Sequence, residues 1–175
     1  MRYAGIDKFE ICNGSGIGVS LFVQGCPLHC KGCFNPETWY EYGGNEFTED
    51  ILNEFTSLAD RHYIKRISIL GGEPLADFNI DSTISILKVL RQKFEESKTF
   101  WLFTGYNMDE IKLDKKKQEV IKLVDYLVYG RFIQELRDIT LKFRGSRNQR
   151  ILDCKNTIDL DVLYINLINY KEDLI

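Results

Sequence analysis

Three thiols crowd into eight residues of the segment Gly25-Cys26-Pro27-Leu28-His29-Cys30-Lys31-Gly32-Cys33-Phe34-Asn35-Pro36. Soft thiolates at this spacing select iron-sulfur clusters, zinc or copper(I) over hard cations. A cubane ordinarily takes four cysteines, one per iron, so a compact set of three leaves one iron without a protein ligand and free to bind a substrate. The competing reading is a closed zinc knuckle completed by His29, Cys12 or Cys154. His29 adjoins Cys30, and neighbouring residues rarely aim their side chains at one metal. Cys12 and Cys154 are read instead as buried small hydrophobes, and His62 as structural or exposed.

Two further clusters stand where a ligand would be held. Gly71-Gly72-Glu73-Pro74 follows the apolar run Arg66 to Leu70, which places it at the C-terminal end of a strand, where parallel α/β folds bind their ligands. Two glycines let a ligand approach the backbone, and their carbonyls can accept hydrogen bonds from an ammonium group. Glu73 can hold the turn or help position the ligand; an ordinary strand-to-helix turn is the plain alternative. Thr104-Gly105 repeats the arrangement after the next strand, with a hydroxyl and open backbone for a carboxylate or a ribose.

These groups need a scaffold. Val19 to Gln24, Arg66 to Leu70, Phe100 to Thr104 and Tyr126 to Tyr129 read as four short β-prone strands, each closed by glycine or proline. Thr48-Glu49-Asp50 starts a helix with Ile51, Leu52, Phe55 and Leu58 on one face and an end near Arg61. Asp81 or Ser82 caps a second helix carrying Ile84, Leu87, Leu90 and Phe94, and Val120 to Val124 belongs to a third. Strands alternating with helices predict about four βα units around a mostly parallel sheet, hence an α/β fold. The cysteines fall in a long loop, Cys26 to Gly44, between the first strand and the first helix. Lys115-Lys116-Lys117 reads as a solvated helix start. Lys142, Arg144, Arg147 and Arg150 read as a cationic face, either solvated or suited to an acidic partner. A strand or helix around Val162 to Ile168 is expected in a tail that the pattern does not otherwise place.

Composition sets the outer bounds. A chain of 175 residues with 44% apolar, 28% charged and 13% aromatic residues is that of one globular domain, residues 1–175, with a real core. The net charge of -3 argues against a nucleic-acid coat. Ile17 to Val23, the best apolar run, is far too short to span a membrane. Asp7, Lys8 and Glu10 fall where the apolar core of a signal peptide would lie, and five cysteines, an odd count, suit metal ligation in a reducing compartment. The expectation is a cytoplasmic protein without membrane or nucleic-acid partners.

Cys26-x-x-x-Cys30-x-x-Cys33 resembles the motif of the radical S-adenosylmethionine superfamily. Asn13-Gly14 with Gly16, Leu21-Phe22-Val23-x-Gly25-Cys26, Gly32-Cys33-Phe34-Asn35 with Thr38-Trp39, and Gly71-Gly72-Glu73-Pro74-Leu75 narrow the resemblance to one branch. Trp101-x-x-Thr104-Gly105-Tyr106 and Phe143-Arg144-Gly145-Ser146-x-Asn148-Gln149-Arg150 narrow it further. That branch is the activating proteins of anaerobic ribonucleoside-triphosphate reductase, matched to about residue 150, with 151–175 beyond it.

The resemblance implies a compact, partial (βα) barrel with a [4Fe-4S] cluster on Cys26, Cys30 and Cys33. It implies S-adenosyl-L-methionine as the second cofactor, its amino group on Gly71, Gly72 and Glu73, its adenine beside Gly32, Cys33 and Phe34, and further contacts at Thr104 and Gly105. Reductive cleavage would give a 5'-deoxyadenosyl radical that takes hydrogen from a glycine of the reductase large subunit, the protein partner. An electron donor such as flavodoxin or ferredoxin is implied as well. Activation of pyruvate formate-lyase or another glycyl-radical enzyme is the alternative within the class, and a zinc or nucleic-acid-binding module the alternative outside it.

Overall fold

The computed structural model describes residues 1–156; the segment expected around Val162 to Ile168 lies outside them. In chain order the elements are β1 (Arg2–Glu10), β2 (Gly18–Val23), β3 (Asn45–Glu46), α1 (Glu49–Ala59), β4 (Arg66–Gly71) and α2 (Ile80–Phe94). There follow β5 (Thr99–Thr104), α3 (Met108–Lys112), α4 (Lys115–Leu123), β6 (Tyr126–Tyr129) and β7 (Arg150–Asp153). One sheet holds the strands in the order β3-β1-β2-β4-β5-β6-β7. The four strands read from the sequence form its parallel centre, β2-β4-β5-β6, joined by three helical crossovers. Antiparallel β1 and β3 extend one edge and antiparallel β7 the other. The result is a seven-stranded α/β sheet of partial-barrel type.

Helix boundaries follow local chemistry. Thr48 caps α1 by accepting from the Ile51 amide, and Glu49 and Asp50 lie in its first turn, where carboxylates favour the helix dipole. The second helix starts earlier than expected, with Asn79 rather than Asp81 or Ser82 at its N-cap. The Asn79 amide does not cap; it donates to the carbonyls of Gln24 and Glu73 and so fastens the helix start to two loops. At α4, Asp114 accepts from the amides of Lys116 and Lys117. Lys117 is buried rather than solvated, with its ammonium 2.7 Å from Asp114 and over the Tyr106 ring. Among the described residues no helix is long and apolar enough to cross a membrane.

Strand alternation divides the centre of the sheet into two faces. Val19, Leu21, Ile67, Ile69, Phe100, Leu102 and Leu127 are buried among the helices in the main core. The other face carries two levels in register. Ser20, Ser68, Trp101 and Tyr126 form one, and Phe22, Leu70, Phe103, Val128 and Ile151 the next, nearer the C-terminal strand ends. Beside the first level lies Arg66, fully buried at the start of β4 and 2.6 Å from the Glu10 carboxylate. Arg66 also donates to the Asn13 carbonyl and Ser68, while Ser20 donates to Glu10. Burial works to raise the Glu10 carboxyl, but hydrogen bonds from Arg66, Ser20 and Asn13 outweigh it and hold it below the usual 4.5.

Arg66→Met strands the Glu10 carboxylate and is expected to cost about 3–5 kcal/mol in anaerobic denaturant unfolding, with Glu10→Gln added to it recovering part of the loss. Because the folded Glu10 titrates below its unfolded value, its contribution is complete above the usual carboxylate range and is lost as pH falls through it. Unfolding profiles between neutral and acid pH should therefore be flatter for Glu10→Gln than for the unaltered chain.

Candidate active site

The loop after β2 is pinned at its base by backbone hydrogen bonds and held further out by ring contacts. The amides of Gly25 and Cys26 donate to the carbonyls of Thr38 and Trp39, at 2.8 and 3.1 Å. The buried Gln24 amide donates to the carbonyls of Glu37 and Tyr40. Residues 26–35 project from this base as an arch, closed by a 3-10 turn at Pro36–Thr38. His29, at φ +44, stacks its ring on Trp39 with centroids 4.8 Å apart.

The arch roofs a cavity of about 520 Å³ at the C-terminal ends of the parallel strands, within the size range of small-molecule sites. Cys26, Cys30 and Cys33 line it together with Gly71, Gly72, Glu73, Thr104 and Gly105, and Phe34 stands at its border. Two dispersed stretches of sequence thus meet the cysteine loop in one space. His29 and Cys154 do not line it. Cys12 does, and it is exposed rather than the buried small hydrophobe expected. Cys154 is half-buried and packs against the main core, which pushes its thiol well up.

Glu73 organises the floor. It is 1% exposed, and its carboxylate accepts from Thr104 Oγ1 at 2.7 Å and from the amides of Gly105 and Leu75 at 2.8 and 2.9 Å. Burial pushes the carboxyl up to about 7, while those donors and Lys117 pull it down. The Thr104 hydroxyl, expected to face a ligand, is thereby committed to Glu73. The glycines also act through the chain itself. A Cβ on Gly72 would come within 2.4 Å of the Gly25 carbonyl oxygen, and one on Gly105 within 2.3 Å of Leu28. Both positions are bare because the cysteine arch rests on them. Gly32, at φ +72, turns the arch against Gln134 and is not on the cavity wall.

The thiols suit a cluster. Burial pushes Cys26 up to about 11 from its ordinary 9.0, and Cys30 is raised for the same reason; thiols so placed become thiolates by exchanging protons for metal. The Asn35 amide donates to Cys33 Sγ at 3.4 Å, the kind of contact that tunes cluster sulfurs. Among the described residues no three His, Cys, Asp or Glu side chains gather around a single-ion position.

The opposite wall was not legible as such. Phe22, Leu70, Phe103 and Val128 supply its apolar side, and the chain after β6 folds back to complete it. Phe132 packs on Phe34 with centroids 5.1 Å apart. Gln149 accepts from the amides of Gly145 and Ser146 and donates to the Gly130 carbonyl, and Asn148 donates to the Arg131 carbonyl. The 143–150 motif is therefore a staple that holds the wall. Lys142 and Arg147 are exposed, but Arg144, expected on the same cationic face, lines the cavity.

Comparison with known proteins gives the relatives of this chain. Residues 12–152 match the family model of the 4Fe-4S single cluster domain. The anaerobic ribonucleoside-triphosphate reductase-activating protein of Escherichia coli K12 is 36% identical over 151 residues, covering 85% of this chain and 96% of the relative. The proteins of that name from Vibrio cholerae O1 and Enterobacteria phage T4 are each 35% identical, with 86% of this chain covered and 97% and 93% of theirs.

Gly72→Ala is expected to push the base of the arch off the end of β4 and to reduce iron bound after anaerobic reconstitution by at least half, since its Cβ would come within 2.4 Å of the Gly25 carbonyl oxygen, a backbone atom that cannot rotate away. Full loading of the variant would show that the arch does not rest on this glycine.

Proposed function

The chain belongs to the family of anaerobic ribonucleoside-triphosphate reductase-activating proteins, and we propose that Cys26, Cys30 and Cys33 are its cluster ligands and the strand ends beside them its S-adenosylmethionine site. The protein activates anaerobic ribonucleotide reductase by radical S-adenosylmethionine chemistry at a [4Fe-4S] cluster. What supports the residue assignment is one observation: the three thiols of one loop and the ends of β4 and β5 line a single cavity. Bound there, a reduced cluster and S-adenosylmethionine would supply a one-electron reductive cleavage of the sulfonium C–S bond, the electron coming from the cluster and the products being methionine and a 5'-deoxyadenosyl radical able to take hydrogen from a glycine Cα of the reductase.

The protein's own part is to hold and to exclude. The thiolates of Cys26, Cys30 and Cys33 would hold the cluster, three protein ligands for four irons. Carbonyls at the Gly71-Gly72 turn, kept in place by Glu73, accept from the amino group of S-adenosylmethionine. Cys33 and Phe34 border the adenine end. Phe22, Leu70, Phe103 and Val128 form a wall without hydrogen-bonding side chains, which keeps water from the reacting centre. The open mouth admits a polypeptide loop, so the glycine-bearing large subunit of the reductase is the macromolecular substrate. A flavodoxin or ferredoxin is the proposed electron donor, the cytoplasm the proposed compartment, and residues 1–175 a single domain.

Replacing Cys26, Cys30 or Cys33 with alanine should each abolish iron and sulfide incorporation, while Cys12→Ala and Cys154→Ala keep it. With the reduced, unaltered protein, S-adenosylmethionine and an anaerobic ribonucleotide reductase, 5'-deoxyadenosine, methionine and a paramagnetic glycyl signal should appear together, its splitting altered when the reductase glycine is deuterated at Cα. Robust cofactor cleavage with a radical-free reductase would refute this partner, and radical formation on pyruvate formate-lyase instead would identify the other.

A further inference from the structure

Arg144 is the one cationic residue among the described residues that line the cavity. Its surroundings do not neutralise it. The single hydrogen bond from its guanidinium is long, 3.4 Å from Nη1 to the Gln149 carbonyl, and Nε is buried without a hydrogen-bond partner. No ion pair is formed by Arg144 among the described residues, and its charged neighbour, Arg150, has the same sign. The acids of the cavity are engaged elsewhere: Glu73 by Thr104 and two amides, and Asp138 by the amide and hydroxyl of Thr140. A half-buried guanidinium so placed is costly unless an anion enters with the ligand.

Resting on the cofactor site proposed above, we propose that Arg144 binds the carboxylate of S-adenosylmethionine and so selects the intact amino acid. That carboxylate is the only anionic group of the molecule. It offers two oxygens, and the guanidinium is a planar fork that matches them. The Gln149 staple, which holds the amides of Gly145 and Ser146 and the Gly130 carbonyl, keeps Arg144 on the wall in advance of binding. The amino and carboxylate groups of one ligand are then recognised from two sides, by the carbonyls at the Gly71-Gly72 turn and by Arg144.

The test uses the cluster-loaded protein and two probes, S-adenosylmethionine and its decarboxylated analogue, titrated by calorimetry under argon. Arg144→Met should weaken S-adenosylmethionine by about 10- to 100-fold, as expected for loss of a hydrogen-bonded charge pair, and leave the decarboxylated analogue within a few-fold. Arg144→Lys should retain part of the preference. Iron content measured on the same samples separates ligand recognition from damage to the arch. Equal weakening of both probes, or of neither, overturns the assignment of Arg144. Failure of the unaltered loaded protein to bind S-adenosylmethionine would instead overturn the site reading on which the assignment rests.

Discussion

The site depends on where one buried carboxylate finds its donors. Glu73 joins the end of β4 to the end of β5 through Thr104 and the Gly105 amide, and turns its own loop through the Leu75 amide. Its backbone amide donates to the Gly25 carbonyl at 2.8 Å, and its carbonyl accepts from Asn79 at the start of α2. Four pieces of chain, the two strand ends, the base of the cysteine arch and a helix N-terminus, are thereby held in register by one residue. Burial raises such a group's cost, and the three donors to its carboxylate offset it. The Gly71-Gly72-Glu73 turn and the cysteine loop are consequently tied together.

From that unit the chemistry of the cavity follows. Close contact between the arch and the strand ends is possible only where side chains are missing, at Gly72 and Gly105. The thiols come to lie on one side and the aromatic wall of Phe103, Phe132 and Phe143 on another. Polar backbone beside a largely apolar chamber suits a reaction in which a zwitterionic cofactor must be gripped at one end and a reactive carbon kept from water at the other. The parallel centre of the sheet supplies the floor, and the long return after β6 supplies the wall that a barrel of only three βα units would otherwise lack.

Much of this was readable in the sequence because it is local. The three cysteines, the four parallel strands and the helix beginning at Thr48 each carry their own signal in spacing or periodicity. What escaped has a physical reason. β1 alternates poorly, with Asp7, Lys8 and Glu10 on a half-exposed antiparallel strand, while β3, β7 and α3 are too short for a period to develop. That Gly72 also makes room for the Gly25 carbonyl is not visible in the sequence, because the two positions meet only in the fold. Lys117 and Arg144 look like surface cations in a charged run; only the fold shows that one is capped by Asp114 and the other turned inward.

The central claim is that a three-thiol arch above the strand ends leaves one iron of a cubane open to a ligand held by the protein. Mössbauer spectroscopy of the anaerobically reconstituted protein, with and without S-adenosylmethionine, addresses it at the level of single irons. One iron of the four should change its isomer shift and quadrupole splitting when the ligand is added, while the other three keep theirs. Four irons that respond alike, or none that responds although the ligand binds, would contradict the account.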